Sequence, residues 1–189
     1  FYLVLPVLVL MAWRLGRNRS ATFRRRSIAL AVGAISLASF WLSWAMTGGH
    51  SPIPLEAPVR CAFYGSPTRF WEFGVGVLLA FAPTRADRLP PPVATALGGI
   101  GAVAVIGASM TLDSTSVFPG INAIAPVAGT ALLIAAGVRS APVKRVLSAP
   151  LLRWIGDRSY TWYLWHWPAI VFAMLEWPGS RVAPVIAAA

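Results

Sequence analysis

A chain of 189 residues that is 57% hydrophobic and 12% charged, with a mean hydropathy of +0.67, lies far outside the balance of a soluble domain. The composition is that of a polytopic membrane protein, long enough for one helical bundle and without a polar stretch that could form a separate soluble domain. A formal charge of +10 would suggest nucleic acid in a soluble protein, but here the basic residues sit between apolar runs and set membrane orientation, so no nucleic-acid partner is implied.

In chain order, residues 1–13 form an apolar run of 13, which at about 1.5 Å per residue covers roughly 20 Å of a 30 Å hydrocarbon core. It reads as a helix cut at its start. With no basic segment ahead of it, it is a poor signal peptide. Asn18-Arg19-Ser20 matches a glycosylation sequon, a weak signal in so basic a loop. Uncharged runs follow at residues 28–46, 93–110 and 118–138, each near the roughly 18 to 20 residues a helix needs to cross a bilayer. Two more, residues 66–82 and 159–175, are long enough to span but hold ionisable groups, and function is to be sought there. The chain stops inside RVAPVIAAA, another apolar run barely begun. The expected fold is therefore all-α: a transmembrane helical bundle of five complete spans with partial helices at both ends, residues 1–189 being a fragment of one larger integral-membrane domain.

If every run crosses once, Arg14, Arg17, Arg19, Arg24, Arg25, Arg26, Arg85, Arg88, Arg139, Lys144, Arg145, Arg153 and Arg158 fall on one face. Only Arg60, Arg69 and Arg181 face the other way, which makes the first face cytoplasmic. The loop TGGHSPIPLEAPVRCAFYGSP then lies outside, and its four prolines predict an extended segment and not a further helix. The lone Cys61 forms no internal disulfide, so packing holds the chain together. Ala94, Gly98 and Ala102 give one span a small-residue face for close helix approach, and Pro126 predicts a kink in the run at 118–138.

Two constellations carry chemistry. In SPTRFWEFGVG, residues 66–76, Arg69 and Glu72 stand three apart and share one side of a helix, where they can form an ion pair. The pair has two readings: an anchor at the outer interface, beside an aromatic belt of Phe70, Trp71 and Phe73, or an intramembrane functional pair. In SYTWYLWHWPAIVF, residues 159–172, Tyr160, Tyr163 and His166 recur every three residues on one helical face, with Trp167 beside them. Pro168 has no N–H for the carbonyl of Leu164, so an acceptor next to His166 lacks its helical partner. An interfacial aromatic belt accounts for the outer rings, but less well for a histidine roughly 10 Å deep.

FYLVLP at the start, SPTRFWEFGVGVLLA in the middle and LLRWIGDRSYTWYLWHWPAIVF near the end resemble, in order and spacing, successive motifs of the acyltransferase type 3 family. The resemblance implies a bacterial inner-membrane enzyme that moves acyl groups, usually acetyl, from acyl-coenzyme A to hydroxyls of envelope carbohydrates such as O-antigen, peptidoglycan or exopolysaccharide. No metal is implied. Some members carry an extracytoplasmic esterase-like domain after the membrane part. The family's acidic pair and glutamine before FYL, and its first helices with the arginine and histidine regarded as catalytic, lie ahead of this stretch. The resemblance assigns Arg69, Glu72 and His166 to the catalytic site, and Tyr160 and Tyr163 to substrate binding or support.

The implied mechanism has a base, the family's histidine, activating an acceptor hydroxyl while Arg69 stabilises the oxyanion, oriented by Glu72. Tyr163 and His166 would supply hydrogen bonds or line the donor channel. The rival class is a proton-coupled transporter or flippase component for an envelope precursor, because buried charge pairs, broken helices and an intramembrane histidine also build carriers. A noncatalytic scaffold is the third reading.

Overall fold

The computed structural model describes residues 20–52, 57–81, 89–113 and 115–177, together with positions 7, 10, 11 and 14. The expected partial helices at the two ends, most of the run at residues 1–13 and all of 181–189, fall outside the described residues, as do Asn18 and Arg19 of the sequon. The chain forms two compact units, Phe1–Val143 and Lys144–Ala189, each described by itself.

The first unit contains α1 (Ala21–Thr47), α2 (Pro58–Tyr64), α3 (Ser66–Ala80), α4 (Pro91–Thr111), a 3-10 turn (Gly120–Ala123) and α5 (Ile124–Arg139). Helix α6 (Ala141–Leu147) follows, and α7 (Pro150–Glu176) belongs to the second unit. Among the described residues there is no strand. Proline lies in the first turn of α2, α3, α4 and α7, where its missing N–H would have had no intrahelical partner. Ser20 caps α1 instead, its hydroxyl accepting the N–H of Phe23 at 3.2 Å.

Among the described residues three stretches are long and apolar enough to cross a bilayer: α1 with 27 residues, α4 with 21, and Gly120–Arg139 with 20. Five were expected. The 15 residues of α3 reach about 22 Å, short of a core about 30 Å thick. Helix α7 has 27 residues, but its tyrosines, tryptophans and His166 dilute the apolar character of its second half, and Arg153, Asp157 and Arg158 interrupt its first.

Two other expectations are corrected. The proline-rich outer loop does form a further helix, α2, because Pro58 stands at its first position, where a proline starts a helix at little cost. Pro126 does not interrupt a continuous helix: the 3-10 turn gives way to α5 at Ile124, so Pro126 is its third residue and removes no interior hydrogen bond.

Glycine sets the approach of α4 to α5. A Cβ on Gly101 would lie 2.6 Å from the carbonyl oxygen of Gly129, and one on Gly129 would lie 2.8 Å from that of Gly101. The helices thus touch backbone to backbone. The small-residue face expected at Ala94, Gly98 and Ala102 is close to the one observed, but Gly101 and not Ala102 is buried at its centre, because the stripe follows a spacing of four and then three. At the far end Thr95 and Ser140 share a hydroxyl–hydroxyl bond of 2.8 Å, with Ser140 buried.

Helix α1 packs antiparallel on α3 through buried serines at positions 36, 39 and 43. A Cβ on Gly74 of α3 would collide with the Ser36 hydroxyl. The rings of Phe40 and Trp71 meet edge to face at 5.0 Å. Beyond this contact the Ser43 hydroxyl accepts the N–H of Gly120 at 3.2 Å. Gly120 has a φ of +41°, and a side chain there would run into Thr47. The C-terminal ends of α1 and α4, the start of α3 and the 3-10 turn therefore gather at one end of this unit.

Candidate functional site

Arg69 and Glu72 stand in the first two turns of α3 and are paired. The Arg69 Nη2 donates to Glu72 Oε2 at 3.0 Å, and Nε reaches both carboxylate oxygens at 3.3 Å. The Glu72 side chain is 13% exposed and that of Arg69 38%, so the carboxylate is the enclosed partner and the guanidinium its accessible face. Arg69 Cζ also lies 5.9 Å from the centroid of the Phe63 ring, within the range of a cation–π contact.

Two hydroxyls fix the turn that presents this pair. Thr68 donates to the carbonyls of Ala62 (2.6 Å) and Gly65 (2.7 Å), tying the end of α2 to the start of α3. Ser39 donates to the Pro67 carbonyl at 2.6 Å and accepts the Trp71 N–H at 3.1 Å, so α1 grips the turn on either side of Arg69. The indole Nε1 of Trp71 and the Ser36 hydroxyl are buried without a hydrogen-bond partner among the described residues.

One cleft is lined by Glu72, and a second by Phe63, the ring that Arg69 contacts. One, of about 280 Å³, is mostly apolar and lies between α3 and α5, with Glu72, Leu79, Phe118, Val127, Thr130 and Ile134 among its lining. The other, an open cleft of about 700 Å³, lies between α2 and the segment after α4, and is lined by Arg60, Phe63, Tyr64, Asp113, Ser116 and Phe118 among others. Phe118 belongs to both. Asp113 Oδ1 accepts the hydroxyl (2.6 Å) and N–H (2.9 Å) of Thr115 and the N–H and hydroxyl of Ser116, both at 3.0 Å. These bonds, the Thr115 hydroxyl first, hold the Asp113 carboxyl below its ordinary value.

In the second unit, Tyr160, Tyr163 and His166 all lie on α7, as expected from the sequence. His166 Nδ1 is 2.6 Å from the Tyr163 carbonyl oxygen. A carbonyl can only accept, so Nδ1 carries the proton, and in the neutral ring Nε2 keeps its lone pair. The Tyr163 and His166 rings are 5.7 Å apart. Tyr160 and Tyr163 are exposed in this unit, at 56% and 68%. Pro168 is inside α7, one helical turn beyond Leu164. Nearer the start of the helix, Arg158 stacks on Trp154 at 4.5 Å.

Sequence reasoning identified the pair but not what holds it. Ser39, Phe63, Asp113 and Phe118 were missed, and Arg60 was weighed only for topology. A signal for Ser39 existed: Ser36, Ser39 and Ser43 repeat at three and four residues, the spacing of one helix face, inside an otherwise apolar run. Among the described residues no group of three or more His, Cys, Asp or Glu is placed to hold a metal ion.

The acyltransferase-3 family model, described as an acyltransferase domain, matches residues 1–186. A protein provisionally named as a membrane-bound transacylase, BcsY of Komagataeibacter xylinus, is 28% identical over 130 residues, covering 67% of this chain and 32% of its own length. A provisionally named O-acetyltransferase of Staphylococcus aureus (strain COL) is 28% identical over 181 residues, covering 91% of this chain and 28% of its own. The peptidoglycan O-acetyltransferase OatA of Listeria monocytogenes is 24% identical over 179 residues, covering 90% of this chain and 27% of its own. The chain thus spans about a third or less of the length of these relatives. No solved structure matches it significantly.

Proposed function

We propose that this chain, which belongs to the acyltransferase type 3 family, is part of an integral-membrane O-acetyltransferase that moves an acetyl group from acetyl-coenzyme A to a hydroxyl of an envelope carbohydrate. The observation that carries this reading is the Arg69–Glu72 pair, enclosed on its carboxylate side, accessible on its guanidinium side, with Glu72 lining an apolar cleft and Arg69 in contact with Phe63 of an aromatic one. The relatives named as O-acetyltransferases, OatA among them, support an acetyl group and a glycan acceptor.

In the proposed reaction the acceptor oxygen attacks the thioester carbonyl carbon. A C–O bond forms, negative charge collects on the carbonyl oxygen, and the C–S bond breaks as that oxygen re-forms its double bond. The acceptor proton passes to a base, assigned to the histidine of the family's earlier helices, and from there to the departing thiolate. Arg69 supplies fixed N–H donors to the developing oxyanion, and Glu72 holds the guanidinium in one orientation, so little reorganisation is needed as charge develops. Tyr160, Tyr163 and His166 are supporting residues, His166 offering the Nε2 lone pair to a hydrogen-bond donor. We further assign the protein to the bacterial inner membrane with the basic face inward, and take α7 and the shorter α3 as crossing elements beside the three apolar stretches above, which gives the five spans.

The test uses membranes that contain the complete protein and acetyl-coenzyme A labelled in its acetyl group. Alkali-labile label on envelope glycan, lost in Arg69→Ala at equal protein level, is the expected result. Full retention in that variant would remove Arg69 from the site. Movement of a glycan precursor without any donor requirement would replace the enzyme reading with the transporter one.

A further inference from the structure

The larger cleft has a composition that the Arg69–Glu72 pair does not explain. Phe63 and Tyr64 are 41% and 71% exposed, so their rings are not there to fill a core. They meet edge to face at 5.0 Å, and Phe63 meets Phe118 at 6.3 Å, which makes a continuous aromatic wall. Asp113 lines the same cleft. Its Oδ1 is occupied by Thr115 and Ser116, while Oδ2 has no partner among the described residues. The carboxyl is therefore held by one oxygen, which leaves the other for a ligand. Arg60 lines the same space and makes no ion pair among the described residues.

An aromatic wall in one cleft with a carboxylate and a guanidinium matches a pyranose ring, which has an apolar C–H face and a rim of hydroxyls. Phe63 also links this wall to chemistry, because its ring lies under the Arg69 guanidinium. A sugar stacked here would share the Phe63 ring with Arg69. The cleft's lining comes from α2 and from Leu112, Asp113, Ser116 and Phe118 after α4, segments that the charge count puts on the outer side, where an envelope glycan is met.

We infer that this cleft, between α2 and the segment after α4, is the glycan acceptor site: one sugar ring stacks on Tyr64 and Phe63, its hydroxyls donate to Asp113 Oδ2, and Arg60 donates to its ring or substituent oxygens. The inference rests on the acyl-transfer reading above and adds where the acceptor is held and by which side chains.

The test measures alkali-labile acetyl esters on envelope glycan in cells whose only copy of the complete protein carries Tyr64→Ala, Tyr64→Phe, Asp113→Asn or Arg60→Gln. Protein level and melting temperature are followed alongside. The amide introduced by Asp113→Asn keeps an Oδ1 to accept the turn's hydrogen bonds and removes the carboxylate charge. Losing a stacking ring or a charged acceptor should lower esters about tenfold in Tyr64→Ala and Asp113→Asn, with a smaller fall in Arg60→Gln and in Tyr64→Phe, which keeps the ring and loses only the hydroxyl. Unchanged esters in Tyr64→Ala and Asp113→Asn would overturn the site while leaving acyl transfer intact. A loss that follows protein level or melting temperature would assign these residues to the fold and overturn it too. If the wild-type protein forms no esters, the acyl-transfer reading fails first, and this inference with it.

Discussion

The hydroxyl of Ser39 accepts the backbone N–H of Trp71 at 3.1 Å and at the same time donates to the carbonyl of Pro67 at 2.6 Å. Positions 67 and 71 are the two ends of one helical turn, the pair that an α-helix joins directly. A side chain from α1 thus stands at the turn that holds Arg69. Replacing Ser39 by alanine removes both of these bonds, each worth about 0.5 to 1.5 kcal/mol. Ser39→Ala should therefore lower the unfolding midpoint of the complete protein in detergent and reduce acetyl transfer, although the Ser39 hydroxyl bonds to the backbone on either side of Arg69 and not to the ion pair itself. Wild-type stability together with wild-type transfer would show that the turn needs no support from α1.

The Arg69–Glu72 geometry sets a second expectation. Two guanidinium nitrogens engage one carboxylate. Lysine keeps the charge but is a point donor and cannot reproduce that fork. Because Arg69 is more than a third exposed, the pair contributes little stability, below about 1 kcal/mol after solvent screening. Arg69→Lys and Glu72→Gln should therefore leave the melting temperature nearly unchanged while transfer falls about tenfold or more, the scale expected when a positioned oxyanion donor is lost. Transfer in Arg69→Lys equal to wild type would mean that charge alone suffices and that the fork has no role.

What was legible in the sequence was whatever is local. The long apolar runs follow from the demand that backbone groups be satisfied inside lipid, and Arg69 meets Glu72 because residues three apart share a helix face. The Ser39 contact joins residues 28 and 32 positions apart, and helical period alone does not say which neighbour a serine face will meet. Pro126 shows the same limit at short range. Its effect depends on where the helix begins, and the 3-10 turn moves that start to Ile124. Asp113 and Phe63 looked like loop residues until α2 and the segment after α4 came together in one cleft.

Glycine positions in α4 separate packing from propensity. A methyl group on Gly101 would press on the Gly129 backbone at 2.6 Å, and backbone cannot rotate away. Gly101→Ala should destabilise the protein by about 1 to 3 kcal/mol, as overpacking does. A methyl group on Gly99 or Gly107 meets nothing within 4 Å. Those substitutions should be neutral or stabilising by up to about 1 kcal/mol, since alanine is the better helix former. Denaturant titration of the three variants in detergent checks the contrast, and equal effects at all three positions would rule out backbone contact as the cause.

His166 offers a test that distinguishes its two nitrogens. Nδ1 is committed to the Tyr163 carbonyl at 2.6 Å, which leaves Nε2 as the atom able to act on a ligand. Asparagine places an amide N–H near the Nδ1 position, whereas glutamine reaches toward Nε2. If His166 serves only to occupy the Tyr163 carbonyl beside the Pro168 break, His166→Asn should retain acetyl transfer and His166→Gln should lose it. If Nε2 contributes a hydrogen bond to the reaction, the order reverses, and the proposed supporting role predicts this second order, with His166→Asn lowered about tenfold in line with the loss of about one to two kcal/mol of hydrogen bonding. Measuring both variants at equal protein level decides between them, and full transfer in His166→Asn would withdraw His166 from the site and leave it a structural part of α7.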